Sequence, residues 1–271
     1  MKISDFENIR KKKFPIYITF LSLSMLMILT AIVILIFLNL NLLWWQFLII
    51  AVIAIVIIFM LIIVADQVEK RYLKKYNPLF YNEFVVPIIK NIFQESLIEK
   101  EEILDLSNIK LIGKSHKYKV LNQIHTANYS IYEISMLQDF RFRGFVIKKE
   151  LKDFHDSLIM TNYNYYFKPK INEYKIVTGI NNFDNKYLLY SSNPNYLMKE
   201  ELALALFKRL SNFKNIGLTI ENNQVYFVLG VFAQEVNLGL SITEEMNDDY
   251  LKKIREFIQK LKSIAEFNPN I

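Results

Sequence analysis

The residues in this chain that could do chemistry are few and scattered. Three histidines, His116, His125 and His155, stand nine and thirty positions apart. A metal pair needs spacing of three or four on a helix, or two on a strand, so the sequence predicts no metal site. His155, Asp156 and Ser157 are catalytic-triad letters in a row. A triad works through side chains that converge in space, and no Gly-x-Ser-x-Gly elbow presents a serine, so they read as a polar loop. Glu133, in an apolar alternating run, shares a face with Ile131 and Ser135 and opposes Ile134. An inward glutamate is costly unless hydrogen-bonded, which makes Glu133 the one carboxylate with functional potential. Alternation reads it as outward-facing.

Other chemistries are excluded more directly. The chain has no cysteine, hence no disulfide, thiol nucleophile or thiolate-bound zinc. Its six glycines form no phosphate-cradling loop. Arg141-Phe142-Arg143-Gly144-Phe145 echoes an RNA-recognition strand but lacks the second Gly-Phe. Simple alternation accounts for it, with Phe140 and Phe142 inward and Arg141 and Arg143 outward. No catalytic residue, cofactor or metal is assigned, and no nucleic acid is expected. The formal charge of +6 has a source in basic clusters beside apolar segments, where anionic lipid attracts each base by about 1 kcal/mol.

Those apolar segments dominate the organisation. Residues 14–38 and 42–65 contain no charged side chain. At about 1.5 Å per residue, each can cross a hydrocarbon core of roughly 30 Å. The short connection Asn39-Leu40-Asn41 makes the pair an antiparallel hairpin. The first run is too long for a signal-peptide apolar region, and a second span follows at once. Arg10, Lys11, Lys12 and Lys13 precede the first run, and Lys70, Arg71, Lys74 and Lys75 follow the second. The turn has no Lys or Arg, so both termini are expected in the cytoplasm of a two-span cell-membrane protein. Trp44 and Trp45 are read as anchors at the opposite interface. Thr19, Ser22, Ser24 and Thr30 are the Ser and Thr residues of the first span, and neither span contains Gly. That composition reads as an anchor, since transport paths carry ionisable groups or helix breaks. Asp66 pairs with Lys70 at helical spacing.

The expected boundaries are a basic N-terminus at 1–13, spans at 14–38 and 42–65, a helical stem at 66–106 and an α+β domain at 107–271. Asn77-Pro78 is predicted to break the stem. A second helix then carries Phe80, Phe84, Ile88 and Ile92 on one stripe, with Val85, Ile89 and Phe93 beside them and a kink or restart at Pro87. Beyond residue 107 strands are predicted at 129–136, 140–147, 174–177 and 187–190. A helix is predicted from Asn193-Pro194, with Leu197, Leu202, Leu206 and Leu210 in the core. A hairpin turns at Glu221-Asn222-Asn223-Gln224. A final helix, capped at Asn247, buries Leu251, Ile254, Ile258, Leu261 and Ala265. The fold class is α+β: a transmembrane helical hairpin followed by a cytoplasmic domain with a mostly antiparallel sheet.

In the order and spacing of its segments the chain resembles the bacterial membrane proteins grouped as domain of unknown function 3137. The likeness runs through Phe6-Glu7-Asn8-Ile9, the two-span hairpin and Phe84…Ile88-Ile89. It continues in Tyr129-Ser130-Ile131-Tyr132-Glu133, Phe142-Arg143-Gly144-Phe145-Val146 and the Phe154 region. Tyr190-Ser191-Ser192, the stretch from Ile220 to Tyr226 and Glu266-Phe267-Asn268 complete it. The resemblance implies this architecture and brings no agreed activity. The function expected is a membrane-tethered interaction or scaffold module, with an anionic bilayer and a protein as partners. The alternatives are a tethered hydrolase using Glu133 with a histidine, and an accessory subunit of a membrane complex.

Overall fold

The computed structural model describes residues 1–37, 44–94, 97–99, 118–136, 143–151, 156–162, 174–211, 213, 215–230 and 238–267. The expected turn at 39–41, the domain boundary at 107, His116, Phe140 to Phe142, Phe154, His155 and Asn268 lie outside these residues. The chain forms two compact units. One comprises Met1–Pro87 with Leu238–Ile254, the other Ile88–Asn237 with Arg255–Ile271. Segment 238–254 therefore belongs with the N-terminal helices, whereas the sequence assigns it to the domain at 107–271.

Two long helices, α1 (Ile3–Phe37) and α2 (Trp44–Phe80), build the first unit and pack along each other. Both are membrane-span candidates by length and composition. Their apolar side chains are largely bare: Met25, Leu26, Ile55, Phe59 and Met60 are all around 60% exposed. A soluble core helix would bury them.

The predicted break at Asn77-Pro78 is absent, because α2 runs through Pro78. Pro78 and Pro87 each lack the N–H that closes a helical turn. Between them the chain widens into one π-helical turn, Tyr81–Val85, in which Val86 N–H donates to Tyr81 O. A widened turn carries an extra residue and rotates the following face. Burial accordingly passes from Phe80 to Val85, then to Ile88, Ile89 and Phe93 in α3 (Val86–Phe93). Phe84 and Ile92, expected on the buried stripe, are only half-buried.

Phe6, fully buried, meets Phe80 and Phe84 edge-on, with centroids 5.5 and 5.9 Å away. Phe80 also lies against Tyr250 at 6.1 Å. Asn77 Oδ1 accepts the Leu240 N–H at 2.7 Å, and Tyr250 Oη donates to Gly239 O at 2.5 Å. These contacts hold segment 238–254 within the first unit. Aromatic pairs of this geometry contribute about 0.5–1.5 kcal/mol each beyond area burial.

The second unit contains one sheet. Its strands are β1 (Leu97–Glu99), β2 (Tyr118–His125), β3 (Tyr129–Met136), β4 (Arg143–Glu150), β5 (Leu158–Asn162), β6 (Tyr174–Ile176), β7 (Tyr187–Ser191), β8 (Asn215–Glu221) and β9 (Gln224–Gly230). They lie in the order β1-β2-β3-β4-β9-β8-β5-β7-β6, and every pairing is antiparallel. The fold is α+β. Asn222 and Asn223 take φ of 51° and 59°, the left-handed pair of a two-residue hairpin, as the sequence predicts.

Besides the four-residue α4 (Asn181–Asp184), two helices follow: α5 (Glu200–Leu210) and α6 (Asp248–Ala265). Leu202, Leu206 and Leu210 are buried as expected, but Leu197 is 86% exposed. Asn193-Pro194 closes a turn instead of opening a helix: Tyr196 N–H reaches Asn193 O, and Asn195 N–H reaches Asn193 Oδ1. Asn247 Oδ1 caps α6 by accepting the Tyr250 N–H at 3.0 Å. Ile254, Ile258, Leu261 and Ala265 are buried, with Leu251 half-buried. Each large aliphatic group so buried contributes roughly 1.5–3 kcal/mol.

Two outcomes follow for the full chain in detergent. A Cβ at Gly239 would overlap the Asn77 carboxamide, so Gly239→Ala should lower stability by about 1–3 kcal/mol in thermal unfolding. Adding Asn77→Ala should cost less than the sum of the two single changes. Burial alone pushes the Tyr187 hydroxyl up to about 12, and among the described residues that hydroxyl has no hydrogen-bond partner. An unfolded tyrosine ionises near 10, so between those values the unfolded state sheds its proton first and stability falls as pH rises. Tyr187→Phe should be no less stable at pH 8 and should decline less steeply from pH 10 to 12 in urea titrations.

Candidate functional site

The eight basic residues expected at the membrane interface divide into distinct environments. Arg10 is buried, only 6% exposed, and grips Glu7 with two hydrogen bonds of 2.8 and 2.7 Å. Its guanidinium also stands 5.3 Å from the Phe14 ring centre. The same Glu7 carboxylate accepts the Met246 N–H at 2.8 Å. Arg10 is therefore a tie inside the first unit, where the sequence reads one more cation among four. Lys11, Lys12 and Lys13 are exposed, with Lys11 only 3.8 Å from Glu7. Lys70, Arg71, Lys74 and Lys75 are exposed too. Lys70 meets Asp66 at 2.6 Å, the pairing that helical spacing predicts. Trp44 and Trp45 open α2.

Glu133 is 3% exposed, so alternation misjudged it. Both faces of β3 are covered: Ile131, Tyr132 and Ile134 are all buried beside it. Period-two patterning tells which residues share a face, but not whether the second face meets water. Asn122 answers the cost of burial, its amide donating to Glu133 Oε2 at 2.6 Å across a register shift in β2.

Directly paired residues of an antiparallel sheet share a face. Glu133 pairs with Asn122 and Phe145, and Phe145 stacks 5.4 Å from Phe257 of α6. Glu133 thus lies on the helix-covered side. His125 pairs with Ser130, hydrogen-bonds it at 2.8 Å and meets Tyr132 edge-on. That is the opposite side of the sheet. Glu133 and His125 are not brought together, and Asp156 makes a 3.3 Å contact with Asn193 in a loop. Among the described residues, no three His, Cys, Asp or Glu converge where a metal ion could be held.

An open groove of about 420 Å³ in the second unit has no counterpart in the sequence reading. Asn91 and Ile92 of α3 and Arg255, Gln259 and Lys262 of α6 line it. Lys262 donates to Ile92 O at 2.8 Å, in the last turn of α3, and lies 3.6 Å from Glu266. A cation there complements the carbonyl end of the helix. The signal available in sequence was the spacing of 255, 259 and 262, which places three long polar side chains on one helical stripe.

The chain matches no protein-family model and no curated protein sequence. Among solved structures it is similar to the crystal structure of the mycobacterial trehalose monomycolate transport factor A, TtfA, at 12% identity and a TM-score of 0.33. The match covers 68% of this chain and 95% of that one. So slight a likeness carries over neither fold nor function.

The difference between Arg10 and its neighbours is measurable. Removing one partner of a part-buried, hydrogen-bonded ion pair costs about 1–3 kcal/mol, whereas an exposed lysine changes stability by about 0.5 kcal/mol or less. Arg10→Ala should therefore sharply lower the melting temperature of the detergent-solubilised chain, and Lys12→Ala should leave it nearly unchanged.

Proposed function

We propose that the protein is a two-span membrane anchor carrying an α+β module that holds a protein partner beside anionic headgroups, with both termini in the cytoplasm. The observation that carries this is the packing of Phe6 against Phe80 and Phe84. It brings the N-terminal end of α1 to the C-terminal end of α2, so both basic flanks lie at one end of the helix pair. The bare apolar surface lies between those flanks and the turn. Cations gathered at one end and absent from the other favour the cytoplasm for the charged end. Tethering raises a partner's effective concentration at the bilayer without needing new contacts.

A hydrolase built on Glu133 and His125 is disfavoured by their placement on opposite sides of the sheet. The accessory-subunit alternative differs from the scaffold only in the partner it holds.

The natural absence of cysteine makes the topology directly testable. Asn41→Cys should react with a membrane-impermeant maleimide on intact cells, and Lys208→Cys only after permeabilisation. The reverse pattern would overturn the orientation, and recovery of the chain in the soluble fraction would overturn the anchor. Crosslinking in native membranes should capture a recurrent protein partner. Turnover of an ester or phosphoester by the purified full chain would reject the scaffold.

A further inference from the structure

We propose that the groove between α3 and α6 binds a phosphate group, either free on a small molecule or carried by an anionic lipid headgroup. The inference stands apart from the topology, because soluble probes reach the groove whether or not the helices span a bilayer.

Its lining is one-sided in chemistry. Arg255 and Lys262 are cations, Asn91 and Gln259 carry amide donors, Ile92 is aliphatic, and no lining residue is acidic. Arg255, Gln259 and Lys262 follow one another at steps of four and three along α6, so their side chains rise from one stripe about 10 Å long. Donors along one wall, with Asn91 opposite, suit an acceptor that has several oxygens.

The two cations differ in what they already do. Lys262 is committed in part: it caps Ile92 O, pairs with Glu266 and lies 5.9 Å from the Phe93 ring centre. Those contacts hold its ammonium in place and leave part of its donor capacity unused. Arg255 is uncommitted. The residues three and four positions away on the helix are Leu251, Lys252, Ile258 and Gln259, none of them acidic. Among the described residues it enters no ion pair. An exposed guanidinium beside a fixed ammonium, with amide donors on either side, matches a tetrahedral oxyanion. The guanidinium fork can take two oxygens and the ammonium a third. A carboxylate offers two oxygens and leaves one cation unmatched. The groove, about 420 Å³ and open to solvent, gives access to a small charged group without enclosing it.

The test uses the full chain in detergent and in nanodiscs. The probes are inorganic phosphate and glycerol phosphate, with acetate and chloride at matched ionic strength as controls. Phosphatidylcholine discs with and without phosphatidylglycerol supply the lipid arm. A saturable rise in melting temperature with the soluble phosphates identifies a free phosphate as ligand. A rise only with phosphatidylglycerol identifies the headgroup. In either case Arg255→Gln should weaken binding by about tenfold or more, and Arg255→Lys should restore only part, because an ammonium lacks the fork. Gln259→Ala, on the same exposed stripe, should weaken it to a smaller extent and serves as the second variant if Arg255→Gln unfolds. The proposal is overturned if no probe shifts the wild type, if acetate does as well as phosphate, or if the variants respond as the wild type does.

Discussion

Everything in the first unit follows from apolar surface that the protein itself leaves uncovered. Residues such as Ile55, Phe59 and Met60 project from α2 with more than half their area bare. Keeping such groups in water forfeits roughly 25 cal/mol for each Å² that burial would have removed. Over two helices the deficit exceeds the stability of an ordinary domain. A bilayer would remove it without another protein, and both helices are membrane-span candidates by length and composition. Once the helices are placed there, the charged ends must leave the hydrocarbon, and the Phe6–Phe80–Phe84 cluster requires that they leave together. The helices accordingly continue past the apolar segments, with α1 starting at Ile3 and α2 running to Phe80.

The charged flank is also a set of ties within the first unit. Glu7 joins Arg10 to the backbone of Met246, and Asn77 holds the backbone of Leu240. Neither link was legible in the sequence, since both connect positions more than 160 residues apart. What was legible is local. The hairpin at Asn222-Asn223 tolerates left-handed backbone, the cap at Asn247 has its donor three residues on, and α6 shows a clean helical stripe. Each is decided by a few neighbouring residues.

The failures share the opposite cause. Asn193-Pro194 suits both a helix start and a turn, and the hydroxyl of Ser191, which accepts the Asn193 N–H, tips the balance to the turn. Pro78 reads as a break, yet α2 runs straight through it, and the one widened turn, Tyr81–Val85, falls immediately before Pro87. Glu133 reads as solvated because half-buried sheets are the usual cause of alternation. Here the middle of the sheet is closed on both faces, so polar letters such as Gln123, Thr161 and Thr219 are buried as well. β5, all five residues buried, carries no alternation to detect.

The same contrast separates polar groups that hold the fold from those left for a ligand. Glu133 with Asn122, Arg10 with Glu7, and Asp184 with the Thr178 and Gly179 backbone each use their charge or amide internally. In low dielectric such groups must be matched, so they are structural by necessity. Gln123 and Thr219 are buried without side-chain partners among the described residues, and both lie on inner strands of the sheet rather than at a groove. Arg255 is exposed and enters no ion pair among the described residues, next to Lys262, whose position is already fixed by Ile92 and Glu266. An unmatched cation costs nothing in water and gains most when an anion meets it with its neighbour preset, because the ordering is then already done. In this chain, recognition is to be sought where the fold has left charge unspent on an ordered surface, and the second half of α6 is such a place.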